Sequence, residues 1–309
     1  MNLKRFAYLL TMVACFGHPL YAQGSFWNRP DAYLRQTRPT GAPKIFAPGL
    51  MTDSGTFVMG RIAFSQDGKE ITYVQSDSWD SPAHARIKMM KYAKHRWSKP
   101  VVINEQFFQP TLSIDGKTLY FRKGNVTGNN MNNVWQSHRT GGGWDAPTPH
   151  LETTYGVYDF MPTVSGNFYV GSDPGPEDVK NGSTYVYSLL TFSNGDVSVK
   201  SLGRPLNGPG FNGDLFIAPD ESYMIVSANE TKDYESELYI SFRKADLTWT
   251  VPVSLGPSIN NGVAHRWGQY VSPDKKYLFY TQGTSEKDCA IYWVRLDKLL
   301  AILRAKVFR

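Results

Sequence analysis

Cysteine is nearly absent from this chain: two in 309 residues, Cys15 and Cys289. Cys15 falls in an N-terminal apolar segment, so the remainder holds one cysteine and no intramolecular disulfide can staple it. Cys289 precedes Ile291-Tyr292-Trp293 in an expected strand and reads as a small buried hydrophobe, not a nucleophile. No apolar run reaches the roughly 18–20 residues that cross a bilayer as a helix. Long runs of one charge are also missing. The net charge of +6 falls to +4 without Lys4 and Arg5 and is spread along the chain. Basic and aromatic residues do not cluster on one element, which excludes a dedicated nucleic-acid reader. There is no His-Glu-x-x-His, Gly-x-Ser-x-Gly, phosphate-cradling glycine loop or Cys/His cluster. His84, His95, His138, His150 and His265 are scattered, and the acidic turn Asp173-Pro174-Gly175-Pro176-Glu177-Asp178 lacks calcium-loop spacing. Neither a metal nor a cofactor is expected. With 14% aromatics, the chain can bury enough apolar surface for one large all-β domain.

Residues 1–22 carry the marks of an export signal. Lys4 and Arg5 start it, Phe6 to Phe16 form a short apolar core, and Leu20-Tyr21-Ala22 offers a small-residue cleavage site. The expected product is periplasmic or secreted. The alternative is a lipid anchor at Cys15, since Met12-Val13-Ala14-Cys15 is lipobox-like.

What the sequence does have is a repeat. Phe64-Ser65-Gln66-Asp67-Gly68-Lys69 returns as Leu112-Ser113-Ile114-Asp115-Gly116-Lys117, in shortened form at Val164-Ser165-Gly166-Asn167, then as Ile217-Ala218-Pro219-Asp220 and Val271-Ser272-Pro273-Asp274. Anchors at 65, 113, 165, 218 and 272 are 48 to 54 residues apart. Each phrase is a hairpin, with a strand entering a turn rich in Gly, Asn and Asp and an aromatic strand leaving it. A third strand carries Ile87, Val134, Val186, Leu238 and Ile291, and Trp97, Trp144 and Trp249, each three residues before Pro, announce a fourth. Four strands per unit is the pattern of a propeller blade.

The Ser-Pro-Asp-Gly-Lys phrase with its later Trp-x-x-Pro resembles the WD-like repeat of TolB-type bacterial β-propellers, over roughly residues 42–296. That resemblance implies an all-β propeller, and the five anchors give five blades, with six as the alternative if a degenerate blade lies between Val170 and Asn207. Residues 23–41 read as an irregular lead-in. The last repeat has only three strands, so Lys44-Ile45-Phe46-Ala47-Pro48 is expected to close the ring. Leu296, Leu299, Leu300, Leu303 and Val307 recur at helical spacing and predict an amphipathic helix over 297–309.

In a propeller the first strand of each blade lines the axis, so aligned positions form rings. Six residues before the anchors stand Met59, Phe107, Asp159, Asn212 and Arg266. Four before stand Arg61, Gln109, Met161, Asp214 and Gly268. With Tyr158, His265 and Trp267 beside them, these rings outline a candidate ligand site: Arg61, Phe107, Gln109, Tyr158, Asp159, Asn212, Asp214, His265, Arg266 and Trp267. Two functions fit. One is a non-catalytic binding module for a glycan, peptide or protein partner. The other is a glycosidase-like enzyme using Asp159 and Asp214 as its carboxyl pair. If both carboxylates pair with arginines, they are structural.

Overall fold

A computed structural model describes residues 25–79, 81–123, 134–153, 155–231 and 235–309. The proposed signal and Cys15 lie outside them. Five antiparallel sheets follow one another around a ring. The first strands are Phe57–Phe64, Phe107–Leu112, Val157–Pro162, Leu215–Ile217 and His265–Val271. Each packs beside the first strand of the next blade, and the fifth returns to the first. Second strands (Glu70–Ser76, Thr118–Lys123, Phe168–Ser172, Tyr223–Thr231, Tyr277–Gly283) and third strands (Arg86–Ala93, Val134–His138, Val186–Ser193, Glu235–Phe242, Ala290–Arg295) step outward. Ile87, Val134, Val186, Leu238 and Ile291 are all fully buried. The stretch between Val170 and Asn207 holds a short helix, α1 (Pro176–Lys180), and the third and fourth strands of blade 3, which leaves five blades.

The recurring turn has a hydrogen-bond reason. Ser65 Oγ donates to Asp67 Oδ1 at 2.7 Å and accepts from the Glu70 amide at 2.9 Å, while Asp67 Oδ1 also accepts from the Lys69 amide. Ser113 with Asp115 and Ser272 with Asp274 repeat this arrangement. These side chains satisfy amides that the tight turn removes from the ladder. In blade 3 the backbone places the anchor at Thr163, whose amide donates to Asn167 O, two residues earlier than Ser165. Blades 3 and 4 end alike, in Leu202-Gly203-Arg204-Pro205-Leu206-Asn207 and Leu255-Gly256-Pro257-Ser258-Ile259-Asn260, and the asparagines have a role. The side-chain amides of Asn207 and Asn260 exchange hydrogen bonds with the backbone of Tyr187 and Leu238, standing in for a missing strand partner.

Closure occurs as the missing strand implied. Lys44–Ile45 pairs with the third strand of blade 5, Lys44 opposite Trp293 and Ile45 opposite Tyr292, and the Phe46 amide donates to Ile291 O at 2.8 Å. The preceding lead-in is irregular, two 3-10 turns, yet firmly packed. Phe26, Trp27 and Tyr33 are buried across the seam between blades 1 and 5. Trp27 donates to Gln66 O, and Tyr33 OH to Asp274 Oδ1 at 2.7 Å. A Cβ on Gly68 would stand 2.9 Å from the Trp27 ring, so this turn needs glycine both for its positive φ and for space. The C-terminal helix, α2 (Asp297–Val307), buries Leu303 and rests Leu299, Leu300 and Val307 on the core of blades 3 to 5.

Blades 3 and 4 are clasped by Glu221. Burial opposes its charge, but donors on Ser165, Tyr169, Asn167 and Thr163 outweigh that and hold its carboxyl at about 2, with Arg243 alongside. Against an ordinary value of 4.5, the folded pKa is depressed, so the clasp is complete above that value and is lost as pH falls toward 2. Glu221→Gln should therefore melt below the unaltered protein at pH 6, with the gap closing between pH 4.5 and 2. Circular dichroism melts across that range check this; a constant gap contradicts it.

Candidate functional site

Three levels stack along the axis. At the centre is an ion pair that crosses it. Arg61 Nη2 lies 2.6 Å from Asp159 Oδ1, and both side chains are fully buried. Arg61 also donates to Thr111 Oγ1 at 3.2 Å and to Leu215 O at 2.9 Å. Asp159 accepts further from Gln109 Nε2 at 3.2 Å and from the Leu215 amide at 3.3 Å. Residues of blades 1 to 4 thus meet at one point, which closes the channel. The local cause is a bulge in the first strands. Register breaks after Met59, Phe108, Tyr158 and Trp267, and Gly60, Gln109, Asp159 and Gly268 take left-handed φ there. Such bulges turn a side chain away from the strand's alternation, here toward the axis.

With the anchor of blade 3 at Thr163, Arg61, Gln109, Asp159, Asp214 and Gly268 are a single ring four residues before the anchors. Asp214 is half-buried and accepts from the Gly268 amide at 2.9 Å. Arg266 and Asn212 are not at this level. Arg266 is buried against the loop between blades 4 and 5, donating to Ile259 O, Ser236 O, Ala264 O, Asn261 O and Gly262 O. Asn212 donates to Tyr185 O at 2.6 Å and Gly208 O at 3.3 Å. Both brace loops.

At the end where the first strands begin, aromatic side chains surround the opening. Arg122, from a second strand, lies over the rings of Tyr158 (4.2 Å) and Phe108 (4.9 Å). Tyr158 contacts Tyr185 at 5.1 Å, and Tyr185 stacks on Phe211 at 5.2 Å. Opposite, His265 stacks on Trp267 at 4.3 Å, and Trp79 meets Trp267 edge-on at 5.6 Å. Phe211 is 44% exposed, whereas Phe107 is buried against Phe121 and Trp135. Gly171 is where Tyr185 passes, since a Cβ there would fall 1.7 Å from its hydroxyl. Burial pulls Arg122 below the usual guanidinium range, and burial lowers His265 to about 4, so its imidazole is neutral at pH 7. Sequence reasoning named Tyr158, His265 and Trp267, and Phe211 stands in the same register as His265, seven residues before its anchor, but Arg122, Tyr185 and Trp79 were missed. These come from second strands and loops, which the first-strand alignment does not sample.

At the opposite end, where the first strands run into the anchor turns, a cavity of about 360 Å³ is lined by all five blades. The Arg61–Asp159 pair lies between the two ends.

Among the described residues no cluster of His, Cys, Asp and Glu has metal-site geometry. Asp173 accepts from the Gly156 amide, and Asp178 from Ser201 Oγ and the Gly175 amide. No described helix is long and apolar enough to cross a membrane.

No family model matches this chain, and no curated protein matches its sequence. Solved structures do resemble it. TolB from Acinetobacter baumannii is 17% identical over 77% of this chain and 54% of that chain, with a TM-score of 0.42. A putative TolB from Agrobacterium tumefaciens is 12% identical over 72% and 69%, at 0.41. A prolyl endopeptidase is 11% identical over 82% of this chain and 45% of its own, at 0.38. The chain thus spans about half the length of the Acinetobacter TolB and of the endopeptidase. These likenesses concern the fold alone.

Proposed function

We propose that this protein is an exported, non-catalytic binding propeller of TolB type. Its glycan, peptide or protein partner docks on the aromatic mouth where the first strands begin. The observation that carries this reading is the division of labour along the axis. Asp159 is fully buried and shared among Arg61, Gln109 and the Leu215 amide. It therefore serves the ring rather than standing open as half of a glycosidase pair, which needs two carboxyl groups facing the scissile bond. Aromatic faces from blades 3, 4 and 5 instead surround the throat, with Phe211 exposed and Tyr158, His265 and Trp267 half-exposed. Rigid aromatics offer large contact area at small entropic cost, the usual composition of binding hot spots.

A glycan array and a pulldown with the mature protein test this. The Phe211→Ala and Trp267→Ala variants should each lose about tenfold or more in affinity for the recovered ligand, a hot-spot loss. Phe211→Ala should keep the unaltered melting temperature. Unchanged affinity in both variants places the site elsewhere.

A further inference from the structure

The cavity at the anchor-turn end has a feature that its role in the fold does not explain. In each turn the residue three after the anchor takes left-handed φ: Gly68, Gly116, Gly166, Glu221 and Lys275. Glycine occupies that backbone without penalty, whereas a residue with a Cβ is strained there. Glu221 offsets its strain through the clasp between blades 3 and 4. Lys275, at φ 61, has no comparable return. Its Nζ lies 3.2 Å from Asp220 Oδ2, with side chains 67% and 49% exposed, a pairing that solvent screens. What Lys275 does do is line the cavity.

The walls are apolar: Phe64, Met161, Phe216, Ile217 and Tyr270, with Thr111 near the Arg61–Asp159 pair. A volume of about 360 Å³ falls at the small end of small-molecule sites, roughly 300–1,000 Å³. Val164, 64% exposed, stands at the mouth. We propose that this funnel binds a small apolar anion. Its ring-sized body packs among the first-strand ends, and its anionic group turns outward to the Lys275 ammonium. Charge complementarity gives Lys275 the return that its backbone strain lacks, because an anionic acceptor is a stronger partner than water. The site is separate from the aromatic mouth, from which the buried ion pair divides it.

Two dyes with one apolar skeleton test the proposal on the mature protein. Anilinonaphthalene sulfonate carries an anionic group, and N-phenylnaphthylamine lacks it. The sulfonate should bind at one saturable site per chain. Lys275→Gly should weaken it about tenfold, the loss of one charge-assisted contact, while the neutral dye changes little. The same variant should melt no lower than the unaltered protein, because glycine relieves the backbone. Asp220→Asn, which releases the Lys275 ammonium, should tighten the sulfonate. Val164→Trp should block both dyes. The inference is overturned if sulfonate binding is not saturable, if Val164→Trp leaves it intact, or if Lys275→Gly weakens both dyes equally. Trp267→Ala should leave dye binding unchanged, so failure here and failure at the aromatic mouth are separately visible.

Discussion

Deleting residues 25–50 should leave a chain without a cooperative unfolding transition. The deletion removes the strand that pairs with Trp293 and Tyr292, and with it Phe26, Trp27, Tyr33 and Phe46, all buried. Tyr33 alone contacts Trp27, Phe64, Tyr277, Phe279 and Trp293. Truncating one large buried aromatic to alanine costs about 3–5 kcal/mol, and a whole domain is usually stable by only about 5–15 kcal/mol. Loss of four such rings exceeds that margin, and the freed third strand of blade 5 becomes an exposed edge open to aggregation. Near-UV circular dichroism should flatten and light scattering should rise. A truncated protein with a sharp transition at the original temperature would show that the ring closes without this segment.

Arg61→Met should destabilise the domain by about 3–5 kcal/mol, the usual effect of breaking a buried pair from one side. The Asp159 carboxylate would keep Gln109 Nε2 and the Leu215 amide but lose its counter-charge. Neutralising both partners should be milder. Arg61→Met with Asp159→Asn removes the stranded charge, and asparagine tolerates the left-handed backbone at 159 (φ 52). The double variant should regain part of the stability lost in the single one, as read from urea unfolding midpoints at constant slope. A single variant within about 0.5 kcal/mol of the parent, the range of ordinary surface changes, would mean that the pair is not buried at the axis.

The architecture was legible because its determinants are local. The Ser-x-Asp turn closes hydrogen bonds within five residues, so its period survives in the sequence, and the missing strand of blade 5 pointed directly to Lys44–Ile45. The candidate site was legible only in part, for two physical reasons. In blade 3 a threonine, Thr163, holds the anchor place and the turn is one residue shorter, so alignment on Ser165, two residues later, separates Asp159 from the ring that holds Asp214. The first strands are also bulged, so simple alternation misplaces side chains: Arg61 reaches the axis, whereas Arg266 turns back to cap loop carbonyls. Tyr185, Trp79 and Arg122 reach the mouth from outside the first strands, and no period marks them.

Hydrogen exchange on the complex with the ligand recovered from the array or pulldown tests the central claim most directly. Exchange should slow at 106–109, 156–159, 211–214 and 265–268, the first-strand starts around the aromatic mouth, with the outer strand Asp196–Ser201 unchanged. Slowing confined to outer strands or to α2, with the mouth unaffected, would contradict it.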